Sequence, residues 1–441
     1  MRKVNLERLF LTFLVISPLL DLAYGLQAYL LNGSSGLLGS HGIAVLPAVS
    51  VGLVVRMALL AVMAVYLVII RDKQAILAGT AIAGAFLLSV LGEVLRGDFF
   101  SLKEDVFYIA RYGFNIAAFF AYAHVITGLP GKTARKKMDD LFCWTFMAAS
   151  LGVLVPYLFD IGFYTYDDRM GLRGCRGLFF SGNDAAALMM LLFPIVLCGV
   201  LEQDDLRSLR GGAYLLSASC GVLAMLVLGT KTTFLAVGVT LGGTVLYAAV
   251  HGVKRHSAVY ISRFGVFLLA FTVLFGVSSL ISGNKIGQVI YASFTFTGEF
   301  IEASGVETAI LSGRSAKLAM VWHSFQAALP WSAAVGLGRG TQVVVMEMDV
   351  AEMFLYYGVP GGLLMGWTYL KNGALFLKGL TRRFNLLGWC CIMALLLCCG
   401  YLFIAGHTLF SVTSGFYFAL VLLYARLFTG PESLSAEEAI S

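Results

Sequence analysis

Apolar runs of about 20 residues, the length an α-helix needs to cross a bilayer, recur along almost the whole chain. Nothing else in the sequence narrows the fold as much. In hydrocarbon every backbone N–H and C=O must be paired internally, so repeated runs of this kind mean helices. Composition agrees: 59% of the 441 residues are hydrophobic and 13% are charged, where an ordinary soluble domain is about a quarter charged. Mean hydropathy is +0.85. The chain therefore reads as an all-α polytopic membrane protein with about twelve transmembrane helices. The candidate spans are 9–31, 44–70, 75–95, 106–127, 138–160, 184–201, 212–229, 232–250, 264–282, 350–370, 385–404 and 408–427. Residues 1–441 form a single integral membrane domain in this reading. Residues 283–349 are the one long stretch outside the spans, a large periplasmic or extracellular loop, and residues 428–441 form a polar, disordered cytoplasmic tail.

The N-terminal "MRKVNLERLFLTFLVISPLL" is similar to a signal sequence, but its apolar stretch runs on and many spans follow, so it is read as an uncleaved first helix. Seven of the eight cysteines fall in apolar runs, where they pack as small apolar groups. Cys175 alone lies in a polar loop, so neither a disulfide nor a zinc site is expected.

Lysine and arginine set the topology. With the N-terminus in the cytoplasm, most of the 31 basic residues fall on the cytoplasmic side, "KTARKK" and "KGLTRR" most clearly. An even number of spans returns the C-terminus to the same side. The net charge of +6 reflects this bias and is no nucleic-acid footprint. The basic residues that resist the rule are the informative ones: Arg173 and Arg176, Lys231, Arg314 and Lys317, and Arg339. Arg56, inside a span, reads either as a functional partner or as a snorkelling side chain.

Within "SGRSAKLAMVWHSFQAALP", apolar residues recur at helical spacing, which predicts an amphipathic helix at the membrane surface with Arg314 and Lys317 on one face. Pro330 and "GLGRG" end it. The segment "MEMDVAEMF" follows, and Asp349 and Glu352 share one face at the mouth of the tenth span. Arginine forks bind phosphate, and a carboxylate can take a proton from a sugar hydroxyl. Each piece also has a plainer reading. An outer arginine can meet lipid headgroups, and Asp349 can serve as a helix cap. Glu347 reads as solvated, His407 as a packing residue, and Asn183 with Asp184 as a helix start. "GLGRG" is no nucleotide loop, since no strand–helix unit surrounds it.

The order of "GLFFSGNDAAALMMLLFP", "LGTKTTFLAVG", "GRSAKLAMVW", "GLGRG", "FLYYGVPGGLL" and "AGHTLFS" resembles the O-antigen polymerase and O-antigen ligase superfamily of bacterial envelope proteins. The motifs run from about 170 to 415, and the first 170 residues match only as generic spans. The resemblance implies a fold akin to the C-type membrane glycosyltransferases. It implies a metal-independent, inverting glycosyltransferase without cofactors, using undecaprenyl-pyrophosphate-linked glycan as donor and acceptor. It places the enzyme in the bacterial inner membrane, with both termini cytoplasmic and the active site on the outer face. Its first-loop arginine falls on Arg176, with Arg173 as the alternative, and its large-loop arginine on Arg314. Ligases carry a His just before the tenth span; here Asp349 or Glu352 stands in its place, which favours a polymerase. The expected site is thus Asp349, Glu352 and Arg314 for catalysis. Arg176, Arg173, Arg314, Lys317 and Lys231 would bind pyrophosphate, with His407, Asn183 and Arg339 in support and no metal. The alternatives are an O-antigen ligase that passes finished glycan to lipid A-core or another acceptor, and a lipid-glycan transporter. Further partners would be membrane lipids, a flippase and a chain-length regulator, with no nucleic acid.

Overall fold

The computed structural model describes residues 3–32, 50–97, 101–166, 173–251, 257–342, 345–381, 384–404 and 406–429. The chain is a bundle of helices with one small hairpin. In order these are α1 (Lys3–Asn32), α2 (Val51–Ile69), α3 (Lys73–Arg96), α4 (Leu102–Thr127), α5 (Gly131–Leu158), β1 (Phe163–Tyr166), β2 (Arg173–Gly177), α6 (Gly182–Glu202), α7 (Leu209–Leu228), α8 (Lys231–His251), α9 (Ser257–Ile281), α10 (Lys285–Leu311), α11 (Arg314–Ala327), α12 (Trp331–Val335), α13 (Asp349–Leu380), α14 (Leu386–Ile404) and α15 (Ser414–Thr429).

Each candidate span overlaps a helix among the described residues, though the span expected at 408–427 is helical only from Ser414. Among the described residues nine are long and apolar enough to cross a membrane: α1–α3, α5–α9 and α14. Helices α4 and α13 carry acidic residues in their first turns, and α15 is only 16 residues long. The boundaries follow local chemistry. Asp72 caps α3 through the N–H groups of Gln74 and Ala75, and Ser181 caps α6 through that of Asp184. Gly97 and Gly229 end α3 and α7 in the left-handed region.

Helix α6 is buried along nearly its whole length, with α5, α7, α14 and α15 packed around it. Helices α8 and α9 turn apolar side chains such as Leu246, Leu269 and Leu280 outward, as lipid-facing helices do.

Two features depart from the expectations. β1 and β2 pair as a small antiparallel hairpin, Tyr164 with Cys175 and Tyr166 with Arg173. Cys175, expected in a polar loop, is buried in that hairpin. The stretch 283–349 holds three helices where one was expected; α11 falls on the segment read as amphipathic, while α10 precedes it and bends at Gly305. Most of the tail expected over 428–441 lies outside the described residues.

Helix α13 breaks at Gly358, whose φ is 71°. Pro360 has no N–H, so the carbonyl of Tyr356 cannot find its helical partner. The freed carbonyls of Leu355 and Tyr356 accept instead from the N–H groups of Leu337 and Gly338, at 2.8 and 3.0 Å. Ser89 Oγ also donates to Tyr356 O, at 2.8 Å. The "GLGRG" turn is thereby docked against the first, short half of α13. Arg96 holds the same turn from α3, donating to the carbonyls of Gly336 and Leu337 at 3.0 and 2.8 Å.

Candidate active site

The first turn of α13 carries Asp349 and Glu352, both with no exposed surface. A helix N-terminus suits negative charge, but burying two carboxylates three residues apart demands further partners. Asp349 Oδ2 accepts from the backbone N–H groups of Thr408 and Leu409, at 2.6 and 2.9 Å. Its Oδ1 has no hydrogen-bond partner among the described residues and faces His407 Nδ1 at 3.9 Å. Glu352 Oε2 lies 3.4 Å from the same nitrogen and accepts from the Tyr108 hydroxyl. Glu352 Oε1 accepts from the Glu347 N–H at 2.8 Å.

His407 is the part of the cluster that reaches the surface, with its side chain 29% exposed against 0% for both acids. It stands in the loop between α14 and α15. Burial works to lower its pKa, but the carboxylates of Glu352, Asp349 and Glu347 outweigh this and raise it to about 9. With Nδ1 turned to the carboxylates, Nε2 is on the opposite edge of the ring. Nδ1 makes no hydrogen bond among the described residues, but it lies at ion-pair distance from both acids, and one nitrogen facing an acid with the other directed away suits a histidine general base or acid. The three side chains also place one ligand atom each within 4.8 Å of one another, close enough to share a divalent cation.

Cations surround this cluster. Arg314, at the start of α11, donates to Glu347 at 2.7 Å, and Lys317 lies 3.6 Å from the same carboxylate. Glu347 is therefore a link, not the solvated residue that was expected: its carboxylate holds the two cations and its N–H holds Glu352. Arg339 projects from the docked turn, its guanidinium 5.9 Å from the centre of the Tyr108 ring. Asp105 fixes that turn by accepting from the N–H groups of Arg339 and Gly340, each at 3.0 Å.

The structure thus brings Asp349, Glu352, His407, Arg314, Lys317 and Arg339 into one region. Of the remaining expected residues, Arg173 and Arg176 lie on the hairpin, with Lys231 and Asn183 on helices beside it. Arg176 lies 5.2 Å over the Phe163 ring, and Arg173 is paired with Tyr166 in β2. Lys231 starts α8, just after a turn in which Gly229 packs on Gly174; a Cβ at Gly229 would stand 3.2 Å from the Gly174 Cα. The N-terminus of α6 lies between the two regions. At Gly182 a Cβ would stand 3.6 Å from Arg176 Cδ. The Asn183 carbonyl accepts from Tyr401, and Asp184 accepts from Ser414 Oγ at 2.7 Å. Asn183 and Asp184 start a helix, as read from the sequence.

Sequence reasoning passed over Tyr108, Asp105 and Asn115, all in the helix read as a generic span. Asn115 donates to the carbonyls of Leu409 and Ser411, at 2.8 and 2.9 Å. A buried amide amid aromatic residues was the available signal.

Fold and site together define a polytopic α-helical membrane protein with an acid–histidine cluster and clustered cations at one end of its bundle. A family model described as O-antigen ligase like membrane protein matches residues 3–285, and the chain belongs to that family. This makes it a glycosyltransferase-type enzyme, a polymerase or ligase of envelope polysaccharide. The match takes in the first 170 residues, which had looked generic, and ends before Arg314, Asp349 and His407. Comparison with curated proteins gives no match.

Proposed function

We propose that the chain polymerises lipid-linked polysaccharide repeat units on the outer face of the bacterial inner membrane, with both termini in the cytoplasm. The observation that carries this reading is the buried Asp349–Glu352 pair behind a partly exposed His407, joined through Glu347 to Arg314 and Lys317.

In the reaction, a sugar hydroxyl of the incoming unit attacks the anomeric carbon of the growing glycan. The new C–O bond forms as the bond from that carbon to undecaprenyl pyrophosphate breaks. The hydroxyl proton passes to His407 Nε2, and the electron pair leaves on the pyrophosphate oxygen. Displacement from the opposite face inverts the anomeric centre. Arg314, Lys317 and Arg339 neutralise the pyrophosphate as its charge develops, a form of stabilisation that gains strength where water is excluded. Arg176 and Lys231, across the α6 N-terminus, would hold the pyrophosphate of the second lipid-linked unit.

The sequence-based preference for Asp349 as base shifts here to His407. Asp349 is wholly buried and spends Oδ2 on the loop backbone, so its part is to position that loop. Glu352 orients the imidazole and stabilises its protonated form, as a carboxylate does for histidine in other acyl- and group-transfer sites.

A ligase is the second reading. What favours it is that the histidine missing before α13 is supplied by the loop before α15. Surface glycan run on a gel separates the two. Loss of a polymerase leaves single repeats on the final acceptor, whereas loss of a ligase leaves glycan on the undecaprenyl carrier. Purified protein that lengthens lipid-linked repeats with no other acceptor present supports the polymerase; a requirement for a distinct acceptor overturns it.

A further inference from the structure

Two charges lie among the apolar residues of α1 and α2. Arg56 makes a two-pronged pair with Asp21, at 2.8 and 2.7 Å, and the side chains are 4% and 14% exposed. A lone charge in a membrane segment is expensive, so each needs the other. Apolar side chains would join the two helices at least as well, because a buried ion pair rarely repays its desolvation. The pair must therefore supply something that apolar packing does not.

That something is an acceptor. Asp21 Oδ1, held in place by Arg56, also accepts from Thr413 Oγ1 at 2.9 Å. Thr413 ends the loop that carries His407, one residue before α15. Asp349 grips the middle of the same loop through Thr408 and Leu409. Two carboxylates hold the loop, Asp349 at its middle beside the imidazole and the largely buried Asp21 at the junction with α15.

We infer that Asp21, clamped by Arg56, is a positioning residue that sets the place of His407 through Thr413. The inference rests on the reading of His407 as the reacting base. A displacement of about 1 Å in such a group can cost on the order of a hundredfold in rate. Slackening one anchor while Asp349 and Asn115 still hold the loop should cost less, roughly tenfold.

The test compares purified Thr413→Val, Thr413→Ser and the double exchange Asp21→Arg with Arg56→Asp. Thr413→Val deletes only the hydroxyl, and Thr413→Ser keeps it. The double exchange restores an ion pair between α1 and α2 but leaves Thr413 without its acceptor. Two readouts are taken. One is the rate at which diethyl pyrocarbonate modifies His407, followed on its peptide by mass spectrometry. The other is kcat and KM for lengthening lipid-linked repeats.

Thr413→Val and the double exchange should change the His407 modification rate several-fold. They should lower kcat roughly tenfold with KM unchanged, with Thr413→Ser staying close to wild type in both. Wild-type behaviour in Thr413→Val overturns the inference. So does full recovery in the double exchange, which would make the pair mere glue between helices, or equal losses in the Ser and Val variants. If the wild-type protein lengthens nothing, the proposed function has failed, and the modification rates still decide the inference.

Discussion

The imidazole of His407 meets both acids of α13 through a single atom: Nδ1 lies 3.4 Å from Glu352 Oε2 and 3.9 Å from Asp349 Oδ1. The acids have no exposed surface and the histidine does, so any group arriving from outside meets the ring first. Chemistry at this site follows from that order of burial.

Replacing His407 with Ala or Gln should lower kcat by roughly a hundredfold or more, the usual worth of a positioned base. The lipid-linked donor should still bind, because the cations are untouched. Steady-state kinetics on purified variants, with donor binding measured separately, checks both halves. A His407→Gln enzyme with near-normal kcat would remove the base from this account.

The same residue gives opposite pH trends in rate and in stability. A base acts only when deprotonated, so kcat should climb with pH and level off near the His407 pKa of about 9. Stability goes the other way. The folded value lies above the ordinary 6.5, so the contribution of His407 is complete below that pH and is lost as pH rises through about 9. Melting temperature should therefore fall across the window in which activity rises. The His407→Gln variant should lose that component of the melting profile.

Glu347 holds Arg314 and Lys317 while its backbone steadies Glu352. Glu347→Gln keeps the backbone bond and removes the charge, freeing both cations for phosphate. Donor KM should fall or stay level, and kcat should change by less than about tenfold. Arg314→Ala should be far worse than Arg314→Lys for donor KM, since lysine keeps the charge without the fork. An Arg314→Ala variant with unchanged kcat/KM would place the phosphate elsewhere.

Gly358 should tolerate no side chain. Its φ of 71° is strained for other residues, and a Cβ there would stand 2.8 Å from the Ala334 carbonyl carbon. Gly358→Ala should destabilise the protein by about 1–3 kcal/mol and loosen the turn that carries Arg339. Thermal melts of purified protein read the first effect, and donor KM the second.

Chelation tests the chemistry at the cluster. If His407 transfers the proton with no metal at its Nδ1, dialysis against EDTA leaves the rate within about twofold. A complete loss restored by one divalent cation would assign Asp349, Glu352 and His407 to metal binding.

The sequence disclosed the helical spans, because hydrocarbon permits little else, and it disclosed the acids of α13 and the basic residues of α11 through their placement against the charge bias. It did not disclose that Glu347 is an internal link. A carboxylate between two apolar stretches looks solvated until the partner from α11 is placed beside it. Nor could spacing show that His407 reaches Asp349 and Glu352 across more than fifty positions of chain, or that Tyr108 completes the cluster from α4. The hairpin escaped notice because its strands are short and neither shows the alternation that marks a half-buried strand, the second carrying two glycines in five residues. Helix α10 was hidden by Glu299, Glu302 and Glu307, which interrupt its apolar residues, and by the glycine that bends it.

The most direct measurement is product length in a reconstituted system: purified protein in lipid, supplied with undecaprenyl-pyrophosphate-linked repeat units and nothing else. Wild type should convert them to a ladder of longer chains and release undecaprenyl pyrophosphate, while His407→Ala of matched stability should leave them as single units. Long chains made at the wild-type rate by the His407→Ala protein would contradict the account.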